Sequence, residues 1–383
     1  MNAFFLAAVV SGFVAWLIVR FDHLHSHLSA DHDLTGVQKF HDVPVPRIGG
    51  VALLAGLSSA FVVLGLSLDE TRYFWLLLVA APAFFGGIVE DLTKTVSARS
   101  RLILTLLSAA VGHFLLDATL VRLDVPWLDM WLVSGGTFAL VLTMVAVAGV
   151  TNAINLIDGY NGLASSVSCG AALVMGVMAA LLGDVWLASI AFALAGALLG
   201  FLMWNYPYGK LFLGDGGAYL TGVMLAEVAV LLVSHHAEVS AWFPLLVLLY
   251  PVFETLFTIY RRLRLHQRSP GQPDACHLHH LVYLRLARWH VGSRVPRDRL
   301  LRNALTTPYL LVLWGCSAVP ALLWWNNTPL LLFSAGLFAV TYVWLYQQLS
   351  HFRAPRWLII YRPTPAVLAT STRTATMPPA DSV

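Results

Sequence analysis

Charged residues are scarce in this chain. They make up 11% of its 383 residues, whereas 58% are apolar. Soluble domains carry about 25% charged residues, so most of these side chains do not face water. There are three cysteines, Cys169, Cys276 and Cys316, and their scattered positions show no disulfide framework. The composition therefore excludes an ordinary soluble domain and a disulfide-stabilised secreted one.

Long apolar stretches account for the missing charge. A helical membrane span needs roughly 20 apolar residues, and in lipid its backbone groups must bond within the segment. We see no short alternating strands of the kind that build a membrane barrel. The sequence therefore predicts an all-α polytopic bundle of about eleven transmembrane helices. The predicted spans are 2–19, 48–67, 73–89, 102–120, 130–149, 163–182, 185–203, 217–234, 241–260, 306–324 and 328–347.

Basic residues fall almost entirely in alternate loops. Of the 23 Lys and Arg residues, 21 lie in one set, and only Arg72 and Arg122 lie in the other. The positive-inside rule puts the basic set in the cytoplasm, with the N-terminus outside and the C-terminus inside. The first span has no basic n-region, so we expect a retained helix and not a cleaved signal. The basic set comprises 20–47, 90–101, 150–162, 204–216, 261–305 and the tail from 348.

The polar residues gather in five patches, and all five belong to the predicted cytoplasmic loops. Ionisable groups at membrane depth mark functional sites by default, so we expect chemistry on this face. The patches are Lys39–Gly50, Glu90–Asp91 with Lys94, Asn152–Gly162, Phe212–Gly217 and Cys276–His280.

The acids and amides of these patches suit phosphate and metal chemistry. The adjacent carboxylates of Glu90 and Asp91 fit a general base, although acids also simply end spans. Asn155 and Asp158 share one helix flank with Asn152, and such oxygen ligands suit Mg²⁺. An ordinary helix cap is the alternative. Asp215, between glycines at a helix start, fits a cap, an anion site or a further metal ligand.

The histidine patch and the basic loop leave several interpretations open. His277, His279 and His280 beside Cys276 fit a zinc cluster, phosphate binding or loop packing. The loop 261–305 holds ten arginines, which fit either an anchor on anionic lipids or contacts to a phosphorylated substrate. Glu254, inside the ninth span, is a further functional candidate.

Six motifs in this order resemble the polyprenyl-phosphate N-acetylhexosamine-1-phosphate transferase family, over about residues 31–285. The resemblance implies transfer of a sugar-1-phosphate from a UDP-sugar to polyprenyl phosphate, giving a polyprenyl-diphosphate-sugar and UMP. The motifs are KFHDVPVPRIGG, the pair Glu90-Asp91, NAINLIDGYNGLA, NYPYGKLFLGDGGAYLTG, YPVFETLFTIYRR and PDACHLHHL.

The resemblance also implies roles for single residues. Asp91 matches a base or a group that positions the lipid phosphate, Asp158 a catalytic position beside the nucleotide, and His279 a catalytic histidine near phosphate. Asn155 and Asp215 match metal-binding positions. Substrate-binding positions are Arg47, Glu90, Lys94, Asn161, His277 and His280.

The implied cofactor is Mg²⁺, with Mn²⁺ as the alternative ion. The implied partners are a UDP-N-acetylhexosamine, undecaprenyl or another polyprenyl phosphate, and membrane lipids. We expect no nucleic acid, and a homodimer stays open. The implied setting is a bacterial inner membrane with the site facing the cytoplasm, at the first membrane step of a cell-envelope polysaccharide. We expect one catalytic domain over 1–350 and a disordered cytoplasmic tail over 351–383.

Several positions depart from the family pattern. Glu90 stands where the family usually has Asp, and Asn161 where many bacterial members have Asp. Ala275 replaces an arginine before the histidine loop, and Ala218 replaces a common serine. Two alternative functions are a transporter or lipid flippase and an inactive paralogue that binds lipid-linked sugars. Transporters place binding residues near the midplane in paired repeats, whereas these residues lie at span ends on one side.

Overall fold

A computed structural model of the protein describes residues 2–29, 44–134, 136–265, 276–287 and 296–353. Within these ranges the fold is all-helical and has no strand. The predicted tail beyond residue 353, the KFHDV part of the opening loop and Ala275 lie outside the described residues.

The chain folds into long helices joined by short connections. Ten of the described helices are long and apolar enough to cross a membrane, so the protein is a multi-pass membrane protein. These ten are α1, α3, α4, α5, α7, α8, α9, α10, α14 and α15. The helices are α1 Asn2–Arg20, α2 Asp22–Ser29, α3 Gly49–Leu68, α4 Arg72–Thr93, α5 Ala98–Leu116, α6 Pro126–Ser134, α7 Gly136–Ile157, α8 Leu163–Leu181, α9 Val185–Asn205, α10 Gly214–His235, α11 Trp242–Val247, α12 Leu249–Tyr260, α13 Leu278–Leu281, α14 Pro296–Leu323 and α15 Thr328–Ser350.

The ninth predicted span is helical but broken. It forms α11 and α12, which meet at Leu248. Pro251 has no backbone N–H and cannot donate to the Val247 carbonyl one turn earlier. The indole Nε1 of Trp314 donates to that carbonyl instead, at 2.8 Å. The stretch therefore lacks the single long helix that the apolar pattern predicted.

Helix α10 lies at the centre of the bundle. In its apolar membrane-spanning part, 94% of the residues are buried. The helix packs against α3, α4, α5, α7, α8 and α9. Glycines allow the closest approaches. A Cβ on Gly87 of α4 would lie 2.5 Å from the Asp215 carbonyl carbon, and one on Gly50 of α3 would overlap the Gly217 nitrogen. The start of α10 is thus held against the backbones of two neighbouring helices.

The two basic residues outside the main basic set are both paired. Arg72 forms an ion pair with Glu70 at 2.7 Å. Arg122 pairs with Asp124 at 2.5 Å and donates to the His236 carbonyl, just past the end of α10, at 3.0 Å. A cation at a helix C-terminus is stabilised by the helix dipole. These arginines therefore serve structure at the end of the bundle opposite to the polar patches.

Candidate active site

Asp91 caps the central helix from a neighbouring one. Helix α4 continues past the predicted end of its span to Thr93, so Asp91 lies in its last turn and is 2% exposed. Its carboxylate accepts hydrogen bonds from the backbone N–H groups of Asp215 at 3.0 Å and Gly216 at 2.9 Å. Helix N-termini favour an anion at this position. The anion at the start of α10 is thus a side chain of the protein.

Asp215 lies beside Asp91 between two arginines. Arg101, near the start of α5, forms a close ion pair with one oxygen of Asp215. Nη2 of Arg47 lies 3.6 Å from the other oxygen and 3.8 Å from Oδ1 of Asp91. Arg47 is a site residue predicted from the sequence, whereas Arg101 is not predicted as one. The sequence feature that could have indicated Arg101 is its position directly before a predicted span.

Asn155 and Asp158 reach the same place from the end of α7. The helix runs to Ile157, beyond the predicted end of its span. Asn155 therefore stays on the helix, and its Nδ2 donates to Oδ1 of Asp215 at 3.1 Å. Asp158 follows directly after the helix, partly exposed. Burial raises the pKa of Asp158 to about 7, against the lowering effect of Arg47 and with a further rise from Asp91.

Asn161 is fully engaged in holding its turn. Its backbone N–H donates to Oδ1 of Asn303 at 2.7 Å, and its Nδ2 donates to the Pro207 carbonyl at 2.9 Å. The hydroxyl of Thr307 donates to its carbonyl at 2.6 Å. The side chain is 4% exposed. Two of these bonds hold the DGYNG turn (residues 158–162) against α14. The contact of α14 with the site is not predicted from the sequence.

The histidine loop is anchored on α12. The carboxylate of Glu254 accepts from the backbone N–H of Leu278 at 3.0 Å and lies 3.3 Å from Nδ1 of His277. The hydroxyl of Thr258 lies 3.1 Å from the same nitrogen. Glu254 is fully buried. Glu254, predicted as a functional candidate inside the ninth span, thus orients His277.

His279 and His280 pack on the DGYNG turn. The His279 ring stacks on His277, with centroids 5.1 Å apart, and contacts Tyr160 edge-on at 5.6 Å. The ring of His280 lies 5.8 Å from Tyr160. Burial lowers the pKa of His279 well below its usual value, and the neighbouring histidines add to this.

Glu90 and Lys94 lie at the margin of the cluster. Oε2 of Glu90 accepts from the backbone N–H of Val96 at 2.7 Å, so this carboxylate closes the turn between α4 and α5. Lys94 ends α4 with a φ of 57° and is exposed. Their predicted contacts with substrate stay predictions.

The structure brings most of the predicted residues to one end of the bundle. Arg47, Asp91, Asn155 and Asp215 contact one another through the ion pairs and hydrogen bonds given above, with Arg101 as an unpredicted member. Asp158 is in electrostatic range of this group, since the charges of Arg47 and Asp91 influence the pKa of its carboxylate. The turn that follows Asp158 contacts the histidines. The site is thus one continuous cluster of side chains. One half contains the acids and arginines, and the other half contains the histidines.

Known proteins similar to this chain belong to one family of membrane transferases. Residues 73–233 match the family described as Glycosyl transferase family 4. The chain is 32% identical over 247 residues to a probable undecaprenyl-phosphate N-acetylglucosaminyl 1-phosphate transferase of Bacillus subtilis, covering 63% of this chain and 67% of that protein. It is 31% identical over 310 residues to a decaprenyl-phosphate N-acetylglucosaminephosphotransferase of Mycolicibacterium smegmatis, covering 73% of each.

A third relative is named for another sugar substrate. It is a phospho-N-acetylmuramoyl-pentapeptide-transferase of Clostridium perfringens, 32% identical over 200 residues, with 49% of this chain and 61% of that protein covered. The range that matches the family model includes Asp91, Asn155 and Asp215, which the fold brings into contact. The chain therefore belongs to glycosyl transferase family 4, the family of the polyprenyl-phosphate N-acetylhexosamine-1-phosphate transferases.

Proposed function

We propose that this protein transfers an N-acetylhexosamine-1-phosphate from a UDP-sugar to a polyprenyl phosphate, such as undecaprenyl phosphate. The observation that carries this is the cluster of Asp91 and Asp215 with Arg47 and Arg101 at one end of a membrane bundle. Guanidinium groups can hold a diphosphate, and the carboxylates beside them can bind a metal ion. Relatives named for this reaction on GlcNAc support the same donor class. The position at a bundle end suits an acceptor whose tail lies in lipid.

The proposed step exchanges one phosphoanhydride bond for another. An oxygen of the lipid phosphate attacks the β-phosphorus, which carries the sugar. A new P–O bond forms, and the bond from the β-phosphorus to the oxygen bridging to the α-phosphorus breaks. That oxygen leaves with UMP. Arg47 and Arg101 stabilise charge on the diphosphate oxygens, which is the main task in phosphoryl transfer.

Asp158 is the better candidate for the proton acceptor. Asp91 accepts two backbone N–H bonds, so its carboxylate is committed to holding the start of α10. We found no hydrogen bond to the carboxylate of Asp158 within the described ranges, and its pKa of about 7 suits general base catalysis near neutral pH. Asp158 would take the proton of the lipid phosphate as its oxygen attacks.

We expect the rate to follow the titration of Asp158. Since the base must be ionised, kcat/KM should rise with pH and level off above about 7. Asp158→Asn should lower activity by about 100-fold and remove the rise. The measurement is UMP release between pH 5.5 and 8.5, with membrane insertion checked at each pH. An unchanged pH profile in Asp158→Asn would exclude this role.

The residues around Asp215 fit Mg²⁺ as the cofactor. Among the described residues, no group of three or more His, Cys, Asp and Glu side chains could hold a metal. Mg²⁺ needs no such group, because it usually binds through one or two carboxylates, waters and substrate phosphates. Asp215 with the amide oxygen of Asn155, after rotation of that amide, would hold it. When bound, Mg²⁺ would offset charge on the diphosphate.

A transfer assay tests the function. Membranes containing the protein should release UMP only when both a UDP-sugar and polyprenyl phosphate are present, and radiolabelled sugar should enter the lipid fraction. EDTA should stop the release, and Mg²⁺ or Mn²⁺ should restore it. Full activity in EDTA would contradict the assignment of a metal but not the proposed transfer. Export of the labelled sugar without a lipid-linked product would favour a transporter. Binding of a lipid-linked sugar without turnover would favour an inactive paralogue.

We further propose the orientation that the charge bias predicts. The eleventh crossing would be made by α11 and α12 together, with the N-terminus outside, the C-terminus inside and the site on the cytoplasmic face of a bacterial inner membrane. The ten arginines of loop 261–305 support this side. The product would enter a cell-envelope polysaccharide.

A further inference from the structure

Arg302 is a buried cation in a helix that packs beside the site. It lies near the start of α14 and is 6% exposed. Its guanidinium stacks over the ring of Tyr283, 4.9 Å from the centroid. In the part of the chain that the structure describes, no carboxylate pairs with it, and its Nε has no hydrogen-bond partner. Arg47 and Arg101, by contrast, both contact Asp215. A buried charge left unpaired is costly, and proteins normally pair it.

The fold holds Arg302 against the histidine half of the site. The ring of Tyr283 packs on Tyr160 at 5.4 Å, and Tyr160 contacts His279. The residue after Arg302 is Asn303, which accepts the hydrogen bond from the backbone of Asn161. Two independent contacts thus connect this turn of α14 to the DGYNG turn. They leave little freedom for Arg302 to move away.

A second buried group near Tyr160 also lacks a partner. His279 is 1% exposed, and its Nδ1 has no hydrogen-bond partner among the residues described. Stacking on tyrosine stabilises a guanidinium through its face and leaves the N–H groups at its edge available. Arg302 stacks over Tyr283 and His279 contacts Tyr160, and these two tyrosine rings pack on each other. Among the described residues, each of the two groups has a buried nitrogen without a hydrogen-bond partner, which is what an anionic ligand would satisfy.

We propose that Arg302 is a substrate-binding residue that contacts a phosphate group during the transfer. The proposal rests on the proposed function, because that reaction supplies two phosphate sources, the diphosphate of the nucleotide sugar and the monophosphate of the lipid. Arginine matches phosphate through two parallel hydrogen bonds. The tyrosine stack fixes the plane of the guanidinium, so the ligand would meet a preoriented pair of donors.

Steady-state kinetics of Arg302→Gln would test this. We expect KM for one of the two substrates to rise about tenfold or more, while kcat stays within about threefold. A rise for the UDP-sugar identifies its diphosphate as the ligand, and a rise for polyprenyl phosphate identifies the lipid headgroup. Arg299→Gln is the matched control, because Arg299 lies on the same helix about one turn earlier and is exposed. Its KM values should match the wild type.

If the Arg302→Gln variant does not accumulate in membranes, Arg302→Lys can be measured in its place. Lysine keeps the charge and its stacking on Tyr283 but cannot form the bidentate contact, so KM for the same substrate should rise severalfold. Wild-type KM values for both substrates in either variant would overturn the proposal and leave Arg302 as a structural brace. A wild-type protein without transfer activity would instead refute the proposed function.

Discussion

Asp215→Ala is expected to abolish transfer while the protein still inserts in the membrane. The substitution removes the carboxylate that Arg47 and Arg101 share and the main ligand proposed for Mg²⁺. Arg101 would then lose its ion pair, and Arg47 would keep the longer contact with Asp91 at 3.8 Å. We expect UMP release to fall by about 1000-fold or more, as for loss of a group that organises charge in the transition state.

Two further variants identify which property of Asp215 matters. Asp215→Asn keeps the size and one acceptor oxygen but loses the charge, and should be almost as inactive as the alanine variant. Glu70→Gln is the control, since it also removes a carboxylate from an ion pair, the one with Arg72 at the opposite end of the bundle. Its transfer rate should equal that of the wild type. Substantial activity in Asp215→Asn would contradict a role in metal binding.

Asp91→Asn is expected to damage both stability and activity. The two oxygens of Asp91 each accept one backbone N–H, from Asp215 and Gly216. Asparagine has a single acceptor oxygen, so one buried N–H would face an amide NH₂. Leaving such a group unsatisfied costs about 1–3 kcal/mol. The start of α10 would shift, and Asp215 with it, so we expect transfer to fall by about 100-fold or more.

A double mutant separates positioning from direct chemistry. If Asp91 acts by holding Asp215, then Asp91→Asn combined with Asp215→Asn should be no slower than Asp215→Asn alone. Asp184→Ala is the control for loss of a helix cap, because Asp184 caps α9 by accepting from the Leu187 N–H at 2.9 Å and alanine cannot accept that bond. It should lower the unfolding temperature and leave the rate per folded molecule unchanged. Independent, multiplying losses in the double mutant would point to a separate catalytic role for Asp91.

The structure also changes the interpretation of the family departures. Asn161 stands where many bacterial members carry Asp, and here its amide and backbone bond to Pro207 and Asn303. Glu90 replaces the usual Asp, and its carboxylate closes a turn through Val96. Both side chains have structural partners, so neither departure by itself indicates an inactive enzyme. Ala275 lies outside the described residues, and its effect stays a prediction.

Membrane helices and the chemical class of the site could be predicted from the chain alone. A lipid environment requires long apolar helices, and the pattern of such stretches is visible residue by residue. The confirmed helices fall close to the predicted spans for this reason. Helix ends were less accurate, since α7 continues to Ile157 and α14 begins at Pro296. Polar residues that continue a helix out of the lipid carry no hydrophobic signal.

The pattern of apolar and polar residues along the chain is enough to predict an all-helical membrane protein whose acids, amides and histidines gather at loop ends. Which of these residues contact one another follows only from the packing of the helices. Asp91 and Asp215 are far apart in the chain, and Arg101 and Arg302 looked like ordinary basic residues beside spans. Their roles depend on which helices pack around α10, and glycines at that contact allow the approach. Hydrophobic periodicity specifies a helix, but long-range contacts arise from side-chain packing, which local sequence does not encode.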